Sequence, residues 1–171
     1  MKRKLIFALV VAFFLVPWTA AYAHNVAKAD TAPVDIQPAP STTQPVFNSY
    51  SNTIGGVIPG DVFIIDCSGS DVDTEFNLYI TNTDDLVKSY RYINLQIGIY
   101  TESGNGAWQK ITVPSGESAA DFFITMQDNQ VSFSLPGGAK YKLMIDKGCF
   151  NRYPAVKGAS APLPEFYLTA G

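Results

Sequence analysis

From Val62 onward the chain sets apolar side chains against polar ones in short runs cut by turn residues. The clearest run is Tyr90 to Thr101, where Ile93, Leu95, Ile97 and Ile99 share one face and Tyr92, Asn94, Gln96 and Gly98 share the other. That period of two is the mark of a strand buried on one side. Val62 to Cys67, Phe76 to Thr81 and Ala107 to Val113 are short runs of strand length, and residues 120–127 alternate, with Phe122, Ile124 and Met126 on one face. Val131 to Leu135 and Tyr141 to Ile145 alternate as well, and Phe166 to Thr169 is a last short run. Turn signals stand between them at Pro59-Gly60-Asp61, Ser103-Gly104-Asn105-Gly106, Pro114-Ser115-Gly116, Asp128-Asn129 and Pro136-Gly137-Gly138. Asp84 to Ser89 predicts a single helical turn.

About eight strands at this spacing predict an all-β fold, an antiparallel β-sandwich of jelly-roll or Ig-like type, over residues 47–171. Antiparallel pairing is expected because strands buried on both faces read as unbroken apolar runs, and these alternate.

The N-terminal part reads differently. Met1-Lys2-Arg3-Lys4 is a basic start, Leu5 to Val16 is an apolar run, and Ala21-Tyr22-Ala23 is a small-x-small cleavage signal. The run is 12 residues, short of the ~20 a membrane span needs. Residues 1–23 are therefore expected to be a signal peptide removed after Ala23, which makes the protein secreted and extracellular with no membrane span left. Residues 24–46 hold Pro33, Pro38, Pro40 and Pro45 among Ala, Thr, Ser and Gln, with no sustained period. They are expected to form a disordered, flexible tail. Val34-Asp35-Ile36 is the one piece of it suited to pairing with a sheet.

Cleavage changes the charge. It takes three of the 12 basic residues and none of the 15 acidic ones, so the mature chain carries nine against fifteen, a net charge of −6. Phosphate backbones and anionic lipid need clustered Lys and Arg, so nucleic acid is excluded as a partner.

The chemistry available is narrow. There is one histidine, His24, at the head of the mature chain. The N-terminal His of copper-dependent polysaccharide monooxygenases occupies the same position, but that copper brace needs a second His and the resemblance ends at one residue. Triads built on Ser-His or Cys-His are excluded for the same reason. A hydrolase using two carboxylates needs no His, yet no pair stands out among the acidic residues. The chain is therefore expected not to be an enzyme and to need no cofactor. Two cysteines, Cys67 and Cys149, allow one disulfide, which export would permit and which would contribute roughly 4 kcal/mol through its long loop.

Two clusters are candidate binding sites. Asp66, Asp71, Asp73 and Glu75 offer carboxylates for calcium, which takes six to eight oxygens. Their spacing is similar to the opening of an EF-hand loop, without its Gly and its closing Glu. Tyr90, Tyr92, Tyr100 and Trp108 form a candidate carbohydrate platform on the polar face of their strands. The leading expectation is a non-catalytic module with a structural or interaction role at the cell surface. Its partner is expected to be a surface protein or polysaccharide, or another copy reached by strand addition. The alternative is a small-ligand binder for carbohydrate or calcium.

Overall fold

The structure, a computed structural model, describes residues 25–29, 34–111, 121–156 and 161–171. The expected signal peptide at 1–23 and His24 lie outside them. Among the described residues twelve strands and one short helix occur in the order β1 (Asn25–Ala29), β2 (Asp35–Pro38), β3 (Val46–Ser49), β4 (Ile54–Ile58), β5 (Gly60–Asp66), β6 (Thr74–Ile80), α1 (Thr83–Ser89), β7 (Tyr90–Glu102), β8 (Trp108–Lys110), β9 (Asp121–Thr125), β10 (Gln130–Leu135), β11 (Lys140–Arg152) and β12 (Phe166–Ala170).

They form a sandwich of two sheets. The smaller runs β1-β12-β6-β10. The larger is built on β11, which meets β5 at 140–145 and β4 at 149–151 along one flank and β7 along the other. β2 and β3 extend it beyond β5 and β4, and β8 and β9 pair with the far side of β7. Every pairing is antiparallel, as the one-sided alternation requires, except β1 on β12, which is parallel.

The alternating faces meet between the sheets. Ile93, Leu95, Ile97 and Ile99 of β7 and Tyr141, Leu143 and Ile145 of β11 are buried. They face Phe76, Leu78 and Ile80 of β6 and Phe166 and Leu168 of β12. Phe76 and Phe133 stack with centroids 5.5 Å apart. Each such side chain contributes roughly 1.5–3 kcal/mol by leaving water, so this layer is what holds the sheets together. The helical turn expected near Asp84–Ser89 is α1, which buries Leu86 and carries Asp84 and Asp85 in its first turn, where carboxylates complement the helix dipole.

The eight strands read from the sequence are β5 to β12. Of the four others, β3 and β4 open the domain expected from residue 47, whereas β1 and β2 lie in the expected tail at 24–46, and β2 corrects it. Residues 34–46 are ordered against the larger sheet: Asp35 to Pro38 pair with Phe63 to Asp66, and Val34, Ile36 and Ala39 are buried. Ile36 lies between exposed Asp35 and Gln37, so three residues of alternation suffice once an edge is present to receive them.

Bulges decide which way several side chains point. The β11–β7 register shifts between Ile145 and Lys147, and again between Asn151 and Arg152. Each shift adds one unpaired residue and reverses the parity of the residues beyond it on the bulged strand. On β11, inward residues are odd-numbered up to Ile145 and even-numbered at Phe150 and Arg152.

Candidate functional site

The outer face of the larger sheet gathers a set of charged and aromatic side chains. Lys142 lies opposite Tyr100, and Tyr100 lies opposite Lys110, so the three form one row across β11, β7 and β8. The Tyr100 hydroxyl donates to Asp146 Oδ1 at 2.7 Å, and Lys110 Nζ donates to Asp146 Oδ2. Lys142 Nζ meets Asp61 Oδ1 at 2.9 Å, with both side chains only 15% exposed. The same ammonium stands 5.6 Å from the Tyr100 ring centroid and 5.3 Å from that of Trp108, within cation–π range.

The face thus carries two acid–base pairs, Asp61 with Lys142 and Asp146 with Lys110, around Tyr100. Asp61 and Asp146 balance Lys142 and Lys110. A half-buried ammonium without a carboxylate would be costly, which explains why Lys142 and Asp61 occur together. Asp146 can fold down onto β7 because Gly98 has no side chain; a Cβ there would lie 2.3 Å from Asp146 Oδ2.

The four residues expected to make one aromatic platform therefore divide into two pairs. Tyr100 and Trp108 come together. Tyr90 and Tyr92 lie at the other end of β7, roughly 30 Å away at the ordinary strand rise. Tyr90 is moreover turned inward. Tyr92 pairs with Asn151 and Tyr90 with Arg152, so Arg91 is the extra residue and the parity changes. The Tyr90 ring packs edge-on against Phe150 at 5.7 Å, and its hydroxyl donates to the Pro162 carbonyl at 2.9 Å. Burial raises its pKa. Tyr92 is exposed.

The acidic cluster is dispersed. Asp66 ends β5 in the larger sheet, where its carboxylate accepts from the Ser68 amide at 3.0 Å and lies 3.3 Å from Lys140 Nζ. The Ser68 hydroxyl is the main cause that lowers its pKa. Glu75 belongs to β6 in the smaller sheet, and exposed Asp71 and Asp73 sit on the loop crossing between the two. Among the described residues no group of three or more metal-ligating side chains is close enough to hold an ion. The chain's closeness in sequence is undone by its passage from one sheet to the other.

The expected disulfide is also corrected: both thiols are free. Cys67 comes just after β5, beside the start of β11, its amide donating to the Ala139 carbonyl. Cys149 lies nine residues beyond Lys140 on the same strand, roughly 30 Å away, whereas a disulfide needs Cα atoms within about 7 Å. Past the bulge Cys149 has turned outward and is exposed, while Cys67 is fully buried. Burial pushes the Cys67 thiol up to about 11, with Asp66 adding to the shift, and leaves it unreactive at neutral pH.

The sequence did not single out Lys142, Lys110, Asp61 or Asp146. The only local sign was Lys140 and Lys142 alternating with Tyr141 and Leu143, which marks an outward face but not what faces it. Compared with known proteins, the chain matches no family model and no curated sequence.

Proposed function

We propose that the chain is a secreted, non-catalytic β-sandwich module with a structural or interaction role at the cell surface, exported by residues 1–23. One observation carries this reading. Lys142, Asp61, Lys110 and Asp146 form cross-strand pairs that neutralise one another on an open sheet face. Catalytic acids and bases work the other way, with unmatched groups whose pKa values are driven apart. A flat, internally balanced face suits contact with a neighbour.

Cys149 provides the test. It is the exposed thiol of the two, so a membrane-impermeant maleimide applied to intact cells labels a displayed protein, and Cys149→Ser abolishes the signal. Labelling that appears only after lysis overturns the surface role.

A second reading rests on Trp108 and Tyr100, which share that face beside Lys142 and could stack on a sugar ring. A glycan at a hundredfold excess over its dissociation constant would stabilise the fold by about 2.7 kcal/mol. Melting curves across a glycan panel with no shift dispose of the carbohydrate reading.

A further inference from the structure

We infer that β1 is an exchangeable strand, and that the β12 edge of one copy accepts β1 from a second copy of this chain. The inference deepens the interaction role proposed above and rests on it, since it names the partner.

β1 and β12 come from opposite ends of the chain and pair in parallel, Asn25 with Phe166 through Ala29 with Ala170. A parallel pair has no hairpin turn to tie its strands together. The only covalent path from β1 to the rest of the fold runs forward to β2, which belongs to the other sheet. The linker between Ala29 and Asp35 is five residues long.

Nothing in the pairing itself depends on which chain supplies β1. The same backbone groups meet β12 in either case, which is why exchange of an identical element is a low-cost route to association. The demand for some strand is strong. β12 buries Phe166, Leu168 and Ala170, and with β6 on one flank its other flank has β1 as its partner. Left open, that flank is a row of unpaired amides and carbonyls of the kind that recruits an extended segment.

Within one chain the seat is imperfect. The side chain of Asn25 is buried and donates from Nδ2 to the Val62 carbonyl at 3.2 Å across the sandwich. Its Oδ1 is buried with no hydrogen-bond partner. An orphaned acceptor of this kind weakens the seat and eases release of β1.

The test uses the paired positions Lys28 and Thr169 in the full mature chain, in a Cys149→Ser background that removes the exposed native thiol. One preparation carries Lys28→Cys, another Thr169→Cys, and a third carries both. The first two are purified, mixed, oxidised and run without reductant. A cross-linked heterodimer is expected, its fraction of the total protein growing about tenfold for a tenfold rise in the concentration of both chains while it is scarce, as mass action requires. The double variant checks the register by closing within a chain or between chains. A double variant that closes within the chain while the mixture yields no heterodimer overturns the exchange. A double variant that closes in neither way overturns the β1–β12 seat and the inference with it. Because the mixture is purified protein, failure here leaves the cell-labelling result standing, and the reverse also holds.

Discussion

The carboxylate of Asp146 occupies the space that a side chain at Gly98 would fill: a Cβ on Gly98 would stand 2.3 Å from Oδ2 and 2.9 Å from Cγ. The absence of one methyl group on β7 thus permits a hydrogen bond from Tyr100 and an ion pair from Lys110, both made to the displaced residue on β11. Gly98→Ala is expected to push Asp146 out and lower stability by about 1 kcal/mol, the usual net worth of such a hydrogen bond. Adding Asp146→Ala removes the clash, so the double variant should lose less than the two single losses combined. A denaturation cycle over the four proteins checks it; strict additivity would contradict the geometry.

Gly55 presents a harsher constraint. A Cβ there would fall 2.0 Å from Phe150 Cζ and 2.3 Å from the Asn48 carbonyl, and backbone cannot step aside as a flexible side chain can. Gly55→Ala is expected to cost about 3 kcal/mol or more by forcing β3 and β4 apart. Gly104→Ala meets nothing within 4 Å and should stay within about 0.5 kcal/mol of the parent. Urea midpoints of the pair compare the two directly.

The thiols are expected to behave as strangers. A thiol reagent should modify one cysteine in the native protein, Cys149, and both after unfolding. Reductant should leave the melting temperature unchanged. A loss of stability on reduction would restore the disulfide.

Cys67 also makes stability depend on alkaline pH. Its pKa rises from an ordinary 9.0 to about 11 because burial disfavours the thiolate. A group raised in the folded state stabilises fully below its unfolded pKa and ceases to do so as pH climbs through the folded one. Stability should therefore hold up to about pH 9 and decline from there to about pH 11. Tyr90 and Tyr141, also raised by burial, deepen the decline from about pH 10 upward. Cys67→Ala is expected to flatten the part of the slope nearest pH 9, measured by denaturation at each pH.

Ile36 tests where the domain begins. It is 8% exposed on β2, opposite Ile65. Ile36→Ala should cost about 2 kcal/mol, the low end for a buried aliphatic because the site is on an edge strand. No change in the melting curve would return residues 34–46 to the role of a spacer.

Apolar runs set between turn signals located β5 to β12, most plainly where a strand buried on one face writes its orientation into every second residue, as Ile93 to Ile99 do. A helical turn at Asp84 to Ser89 was legible as well, and α1 extends it to Thr83. β1, β3 and β4 were not legible, residues 24–46 sustaining no period and Gly55 and Gly56 arguing locally against a strand, and β2 showed only as the sheet-suited piece Val34-Asp35-Ile36.

What the sequence by itself determined was the composition of the faces: which residues seek the interior, and that the fold would be two facing β layers. Only the tertiary structure decided which residues meet. Bulges at Asp146 and Arg91 turned Cys149 outward and Tyr90 inward, and crossing between sheets separated Asp66 from Glu75. Register across strands put Lys142, Tyr100 and Lys110 in one row and brought Asp61, Trp108 and Asp146 beside it. Alternation is a local property of each strand, whereas a bulge or a register belongs to a pair of strands distant in the chain, and no single segment encodes it.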